Sequence, residues 1–167
     1  ADSFIENVID GETIDYAESR QRYAQTDIVR SVAFARDRYF VIADRLSGDI
    51  QGDREYRLRW HAHAGMDLDG SLELNLHGPL ISRDQGSLSI STSSTQGEPI
   101  WEEPPFVEYQ SPHVHKIEKE EGHHRVFDSV LMGQNPDFLT VLAPFKTGAL
   151  EGRDAPLTVT IIETAYG

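Results

Sequence analysis

The chain has 167 residues, no cysteine and a formal net charge of −13, from 28 acidic against 15 basic side chains. This length suits one domain with its own core, so residues 1–167 are predicted to form a single domain. The missing thiols exclude disulfides, cysteine-bound zinc, iron–sulfur clusters and a thiol nucleophile. No apolar run approaches the ~20 residues of a spanning helix, and the first residues lack a signal-peptide pattern. The negative charge disfavours nucleic acid and anionic membranes, so we expect a soluble domain with neither partner.

Residues 1–25 do not show the alternation of apolar and polar side chains that is typical of strands. Within them, ETIDYAESRQRYA (residues 12–24) is the one candidate for a helix, although its apolar spacing is poor. We therefore expect an irregular N-terminal segment, residues 1–25, that leads into the rest of the fold.

From residue 27 onward the alternation is regular and predicts strands. In chain order the candidates are DIVRSVAFA, RYFVIAD, REYRLRWHAH, SLELNLH, GSLSIST, FVEYQ, HVHKIE, HRVFDSVLM, DFLTVLA and PLTVTIIETAY. Gly, Pro, Asp and Ser separate them at ordinary spacings. The predicted fold is therefore all-β, an antiparallel two-sheet β-sandwich of about ten strands, with a β-barrel as the alternative.

The segment RWHAHAGMDLDG places two histidines, His61 and His63, on one face of a strand, roughly 7 Å apart by the ~3.4 Å rise per residue. Such a pair can bind zinc if a third ligand comes from elsewhere, and the candidates are His77, His113 and His115. Neighbouring arginines repel a divalent cation, so no cofactor is predicted and a metal stays the minor alternative. The following MDLDG lacks the later ligands of a calcium loop, and Asp69-Gly70 instead indicates a hairpin turn.

Arg57 and Arg59 share their face with these histidines. Together Arg57, Arg59, His61 and His63 form a cationic strip on an otherwise acidic chain. Arginine gives bidentate hydrogen bonds to carboxylate and sulfate groups, so the strip is a candidate for binding an acidic substrate. The plain alternative is a solvent-facing polar stripe.

Two further patterns have both a functional and a structural interpretation. His113, His115 and Glu120 have a spacing similar to the first metal motif of cupins, but Phe127 replaces the glycine of that motif and no second half follows. A charged edge strand explains the same residues.

Trp101 with Phe106 and Tyr109 suits either a platform for sugar rings or a cap on the core. Nucleophile elbows, Walker loops and dinucleotide fingerprints do not occur.

Four segments in order resemble the C-terminal part of heparinase II/III-like polysaccharide lyases. They are NVIDG, DIVRSVAFARDRYFVIADRLSG, EYRLRWHAHAG and DFLTVLAPF, which together span roughly residues 7–146. The resemblance implies a β-sandwich that accompanies a helical toroid, where an Asn, a His and a Tyr carry out β-elimination next to a uronic acid. It also implies a periplasmic or secreted location.

The family's catalytic residues have no counterparts here. The resemblance implies a metal-binding histidine just before V-D-G, where this chain has Phe4–Glu6 instead. We therefore predict a non-catalytic domain, inactive alone, whose partners are the catalytic helical domain of a parent lyase and an acidic polysaccharide. The alternatives are a free-standing carbohydrate-binding module and a small cupin-like metal enzyme.

Overall fold

The computed structural model describes residues 3–23, 25–36, 38–49, 51–62, 70–75, 78–83, 86–104 and 125–146. Every regular element in these ranges is a β-strand. They contain no helix long and apolar enough to cross a membrane.

Eleven strands follow one another along the described chain. They are β1 (Ser3–Ile9), β2 (Ile14–Tyr23), β3 (Thr26–Ala35), β4 (Tyr39–Ser47), β5 (Arg54–Ala62), β6 (Gly70–Asn75), β7 (Gly78–Arg83), β8 (Ser87–Ser94), β9 (Ile100–Glu102), β10 (Arg125–Gly133) and β11 (Phe138–Phe145).

The strands form two antiparallel sheets. A large sheet has the order β1-β2-β3-β4-β11-β8-β7-β6, and a small sheet has the order β5-β10-β9. Neither sheet closes on itself within the described residues, so the two-sheet prediction is confirmed and the barrel alternative is wrong. The alternation of one inward and one outward face per strand explains why the sequence pattern predicted this architecture.

The irregular segment predicted for residues 1–25 is wrong, because β1 and β2 form an antiparallel hairpin there. β2 also pairs along its whole length with β3, from Ile14 opposite Ala35 to Tyr23 opposite Thr26. No side chain of β2 is fully buried. Alternation is therefore weak in this strand, and its backbone pairing rather than its side chains keeps it extended.

The core lies between the two sheets, where β10 and β11 supply the most deeply buried apolar side chains. Phe127 is 0% exposed and Phe138 is 2% exposed. The ring of Trp101 on β9 reaches the large sheet beside Gly78. A hydrogen bond of 2.9 Å joins the Oγ1 atoms of Thr92 and Thr140 on neighbouring strands of that sheet. This pair satisfies two hydroxyl groups in the core, whereas the buried Ser129 Oγ and Trp60 Nε1 have no hydrogen-bond partner among the described residues.

The outer edge of the large sheet is apolar on both faces. Ile5 and Val8 lie on the face that bears the opposite residues Ser19 and Ala17, and their exposed fractions are 70% and 71%. Phe4 and Ile9 lie on the other face and are 53% and 59% exposed. None of the described residues covers them, so β1 presents an unusually apolar edge.

Candidate functional site

Three members of the predicted cationic strip, Arg57, Arg59 and His61, lie on β5, which is an edge strand of the small sheet among the described residues. β5 pairs with β10 without a register shift, which places Arg59 opposite Asp128 and Arg57 opposite Val130. Because side chains alternate along a strand, Arg57, Arg59 and His61 share one face, while Leu58 turns to the other. This alternation agrees with the pattern of the sequence.

Both arginines contact the same carboxylate. Arg59 donates to Asp128 through Nε at 2.8 Å and Nη2 at 2.7 Å, and Arg57 Nη1 donates to Asp128 at 3.2 Å. Asp128 is 0% exposed. Arg57 also donates to Glu55 at 2.6 Å and to Glu102 at 3.1 Å. The two guanidinium groups are therefore part of a network in which three carboxylates, those of Glu55, Glu102 and Asp128, outnumber them.

The hydrogen bonds of this network shift the ionisation of its members. The bonds from Arg59 and then Arg57 hold the pKa of Asp128 below its usual value of 3.8. The reciprocal bond raises the pKa of Arg59, and the bond to Glu55 is the main cause of the raised pKa of Arg57. All three groups are thus charged at neutral pH, and the buried carboxylate fixes the direction in which both arginines point.

A second buried carboxylate holds a second arginine on the large sheet. Arg30 of β3 donates to Asp44 of β4 through Nε at 2.6 Å and Nη2 at 3.0 Å. Asp44 is 2% exposed, and the hydrogen bond to it raises the pKa of Arg30. The geometry repeats that of Arg59 on Asp128, with the same two guanidinium nitrogens engaged.

A cleft of about 470 Å³ lies between the two sheets and is lined by Arg30 with Asp44 from the large sheet and by Arg57 and Arg59 from the small sheet. The large sheet lines it with side chains of β2, β3, β4 and β11, and the small sheet lines it with β5. Its lining residues are Gln21, Tyr23, Thr26, Ile28, Arg30, Asp44, Leu46, Arg54, Glu55, Tyr56, Arg57, Leu58, Arg59 and Phe138. Its volume lies within the range of small-molecule sites. The cleft is the candidate functional site.

Most of the predicted metal ligands lie outside the described residues. His61 is exposed on β5, whereas His63, His77, His113, His115 and Glu120 lie outside the described residues. Within the described ranges, no group of three His, Asp or Glu side chains is suited to a metal ion.

Only some residues of the predicted aromatic platform and of the predicted hairpin turn lie within the described ranges. Trp101 is half-buried against the large sheet, in line with a role in the core. Phe106, Tyr109 and Asp69 lie outside the described residues, and Gly70 begins β6. The sugar platform and the hairpin turn at Asp69-Gly70 therefore stay predictions.

Arg30, Asp44 and Asp128 were missed as site residues. A signal for the two aspartates was present, because each interrupts an apolar strand, RYFVIAD or HRVFDSVLM, and a buried carboxylate requires a partner. The partners themselves are not readable from spacing, since Arg59 and Asp128 are 69 positions apart.

Comparison with solved structures identifies the fold. A heparinase III described as the BT4657 gene product with methylated lysines matches with a TM-score of 0.66 and 18% identity. The heparan sulfate lyase HepC from Pedobacter heparinus matches with 0.59 and 18%, and another heparinase III with 0.62 and 11%. This chain has the fold of a heparinase-like β-domain. The expectation from the sequence resemblance is thereby confirmed at the level of fold.

The matched region is most of this chain but a small part of each lyase. It covers 88%, 86% and 90% of this chain but only 22% of each of those three chains. No protein-family model and no curated protein sequence matches the chain. The chain thus corresponds to about a fifth of the length of the lyases whose fold it shares.

Proposed function

We propose that this chain is the non-catalytic β-domain of a polysaccharide lyase and works beside a helical catalytic domain. The observation that carries the proposal is the coverage, since almost all of this chain matches about a fifth of a heparinase III. A periplasmic or secreted location accompanies this function, because acidic polysaccharides are extracellular polymers.

The apolar edge at β1 supports a partner domain. Isolated domains rarely expose contiguous apolar side chains on both faces of one strand, and such patches mark interaction surfaces. Ile5 and Val8 on one face and Phe4 and Ile9 on the other are all more than half exposed. A helical domain packed against this hairpin would remove them from water.

The second part of the proposal is contact with an acidic polysaccharide through Arg57, Arg59, His61 and His63. The support is the fixed orientation of Arg57 and Arg59 above the buried Asp128. Oriented guanidinium groups lose little freedom when they bind a carboxylate or sulfate, so their contribution to affinity is larger than that of a mobile side chain.

Calorimetric titration with an oligosaccharide of glucuronate, beside an assay for the unsaturated uronate product of β-elimination, tests this function. We expect binding without product. Arg57→Gln should weaken binding, and Arg36→Gln is the matched control, because Arg36 is also paired with carboxylates but lies outside the cleft. Product formed by the pure chain would overturn the non-catalytic role, and absence of binding would overturn the polysaccharide contact.

A further inference from the structure

Two arginines that come from different sheets line one cleft, and each is held by its own buried carboxylate. Arg30 belongs to the large sheet and Arg59 to the small sheet. Asp44 and Asp128, which hold them, are 2% and 0% exposed. In both pairs the donors are Nε and Nη2, so the Nη1 amino group of each arginine is the one turned away from its aspartate.

We propose that Arg30 and Arg59 form a two-sided clamp that binds one acidic group of a sugar chain inside this cleft. The proposal rests on the proposed function, and it adds to it a residue of the opposite sheet and a defined place for the ligand. Asp44 and Asp128 are positioning residues in this clamp, since they touch the arginines and not the ligand.

Structural ion pairs alone are a poor explanation for this arrangement. Burying two carboxylates costs desolvation free energy, and in proteins apolar residues of similar volume often replace buried ion pairs without loss of stability. The arginine side chains also remain 44% and 50% exposed, so they are not sealed into the core. A rigid guanidinium that still faces solvent is suited to binding, because its orientation is already fixed before the ligand arrives.

The remaining lining fits a sugar ring next to its acid group. Tyr23, 71% exposed, and Tyr56 line the cleft, and aromatic side chains present flat apolar faces to sugar rings. Leu58 and Ile28 add apolar surface, and Thr26 adds a hydroxyl. The ligand class is therefore a sugar that carries a carboxylate or a sulfate, since both are anionic acceptors for the Nη1 amino groups that the aspartates leave open.

The test is calorimetric titration of wild type, Arg30→Gln, Arg30→Lys and Arg36→Gln with two probes. One probe is an oligosaccharide of glucuronate without sulfate, and the other is a sulfated oligosaccharide of glucose without carboxylate. Loss of one charge-assisted contact weakens binding by about 10-fold or more, and we expect this for Arg30→Gln. Arg30→Lys keeps the charge but not the planar fork, so it should bind almost as weakly.

The control Arg36→Gln should bind within about twofold of wild type, because its contacts are with Asp10 and Asp15 at the β1–β2 turn. If wild type binds a probe and both Arg30 variants bind it equally well, the clamp is wrong while the proposed polysaccharide contact stands. If wild type binds neither probe, both fail. The probe that binds more tightly identifies the acid group as carboxylate or sulfate.

Folding of the variants is checked separately. Arg30→Lys keeps a positive partner for Asp44, so it remains an informative variant if Arg30→Gln proves unfolded. Asp44→Asn gives a readout that a purely structural arginine would not move. It retains Arg30 but loosens its orientation, and we expect weaker binding of the same probe with a steeper dependence on salt. Unchanged affinity in folded Asp44→Asn would remove its positioning role and overturn that part of the clamp.

Discussion

Arg59 and Asp128 lie directly opposite each other on β5 and β10 and share two parallel hydrogen bonds of 2.8 and 2.7 Å. The arginine side chain is 50% exposed, whereas the carboxylate is completely buried. Loss of the pair therefore costs more free energy at Asp128 than at Arg59, because only the aspartate would be left charged and away from water.

Replacing Arg59 by Gln should destabilise the fold by about 2 kcal/mol, since Asp128 loses its bidentate partner while Arg57 still contacts it. Asp128→Asn in the Arg59→Gln background should recover part of that loss. Urea unfolding of the two single variants and the double variant gives the coupling free energy. Arg36→Gln is the control, and because its ion pairs are exposed we expect a clearly smaller loss of stability than for Arg59→Gln.

The pH dependence of stability follows from the lowered pKa of Asp128. Its unfolded value is 3.8 and its folded value lies below that, so the unfolded state binds the proton more readily. The stabilisation is therefore fully present above about pH 5 and is lost as the pH falls through 3.8 and below. Urea unfolding at a series of pH values should show a shallower acid limb for Asp128→Asn than for wild type. Equal slopes would mean that the pKa of Asp128 is the same in the folded and the unfolded state, which would contradict the lowered pKa.

Gly78 and Gly97 offer a matched pair of positions. Their φ angles are +128° and +126°, in a region that side chains rarely adopt. A Cβ on Gly78 would overlap the carbonyl oxygen of Ile90 and lie 3.0 Å from the ring of Trp101, whereas a Cβ on Gly97 would meet open space. We expect Gly97→Ala to cost about 1 kcal/mol from backbone strain and Gly78→Ala on the order of 3 kcal/mol. Thermal unfolding compares them, and similar losses would contradict the close approach of the Ile90 carbonyl and the Trp101 ring to Gly78.

The hydroxyl pair of Thr92 and Thr140 should behave as a unit. Thr140 is 0% exposed, and its Oγ1 lies 2.9 Å from that of Thr92. Thr140→Val leaves the hydroxyl of Thr92 without this partner, at a cost of about 1–2 kcal/mol. The double variant Thr92→Val, Thr140→Val should be more stable than Thr140→Val alone. An additive loss in the double variant would show that the two hydroxyls do not depend on each other.

The sequence predicted the sandwich because most strands have one buried and one wet face. It missed the β1–β2 hairpin, where half-exposed side chains remove the alternation. A signal was nevertheless present in Asp10-Gly11, a turn dipeptide between two extended segments. Gly11 has no room for a side chain because the carbonyl of Ile14 occupies that place. Local turn chemistry was therefore a better guide here than hydrophobic periodicity.

The sequence predicted which strand carries the arginines of the site, but it did not predict the residues that contact them. The order of Arg57, Arg59 and His61 on one face follows from the period of a strand. Their surroundings do not, since Asp128 comes from β10 and Arg30 from the other sheet. The interpretation as a surplus of positive charge missed the balancing carboxylates for the same reason, because pairing register is decided by the whole fold.

The apolar edge at β1 also has a consequence for how separate copies of this chain meet in solution. A net charge of −13 keeps two copies apart at low ionic strength, but at 0.1 M salt that repulsion reaches only about 10 Å. Above that salt concentration, β1, which has no second partner strand among the described residues, and its exposed Ile5 and Val8 can approach a second edge. Ionic strength, rather than unfolding, would then set the concentration at which the isolated domain begins to self-associate.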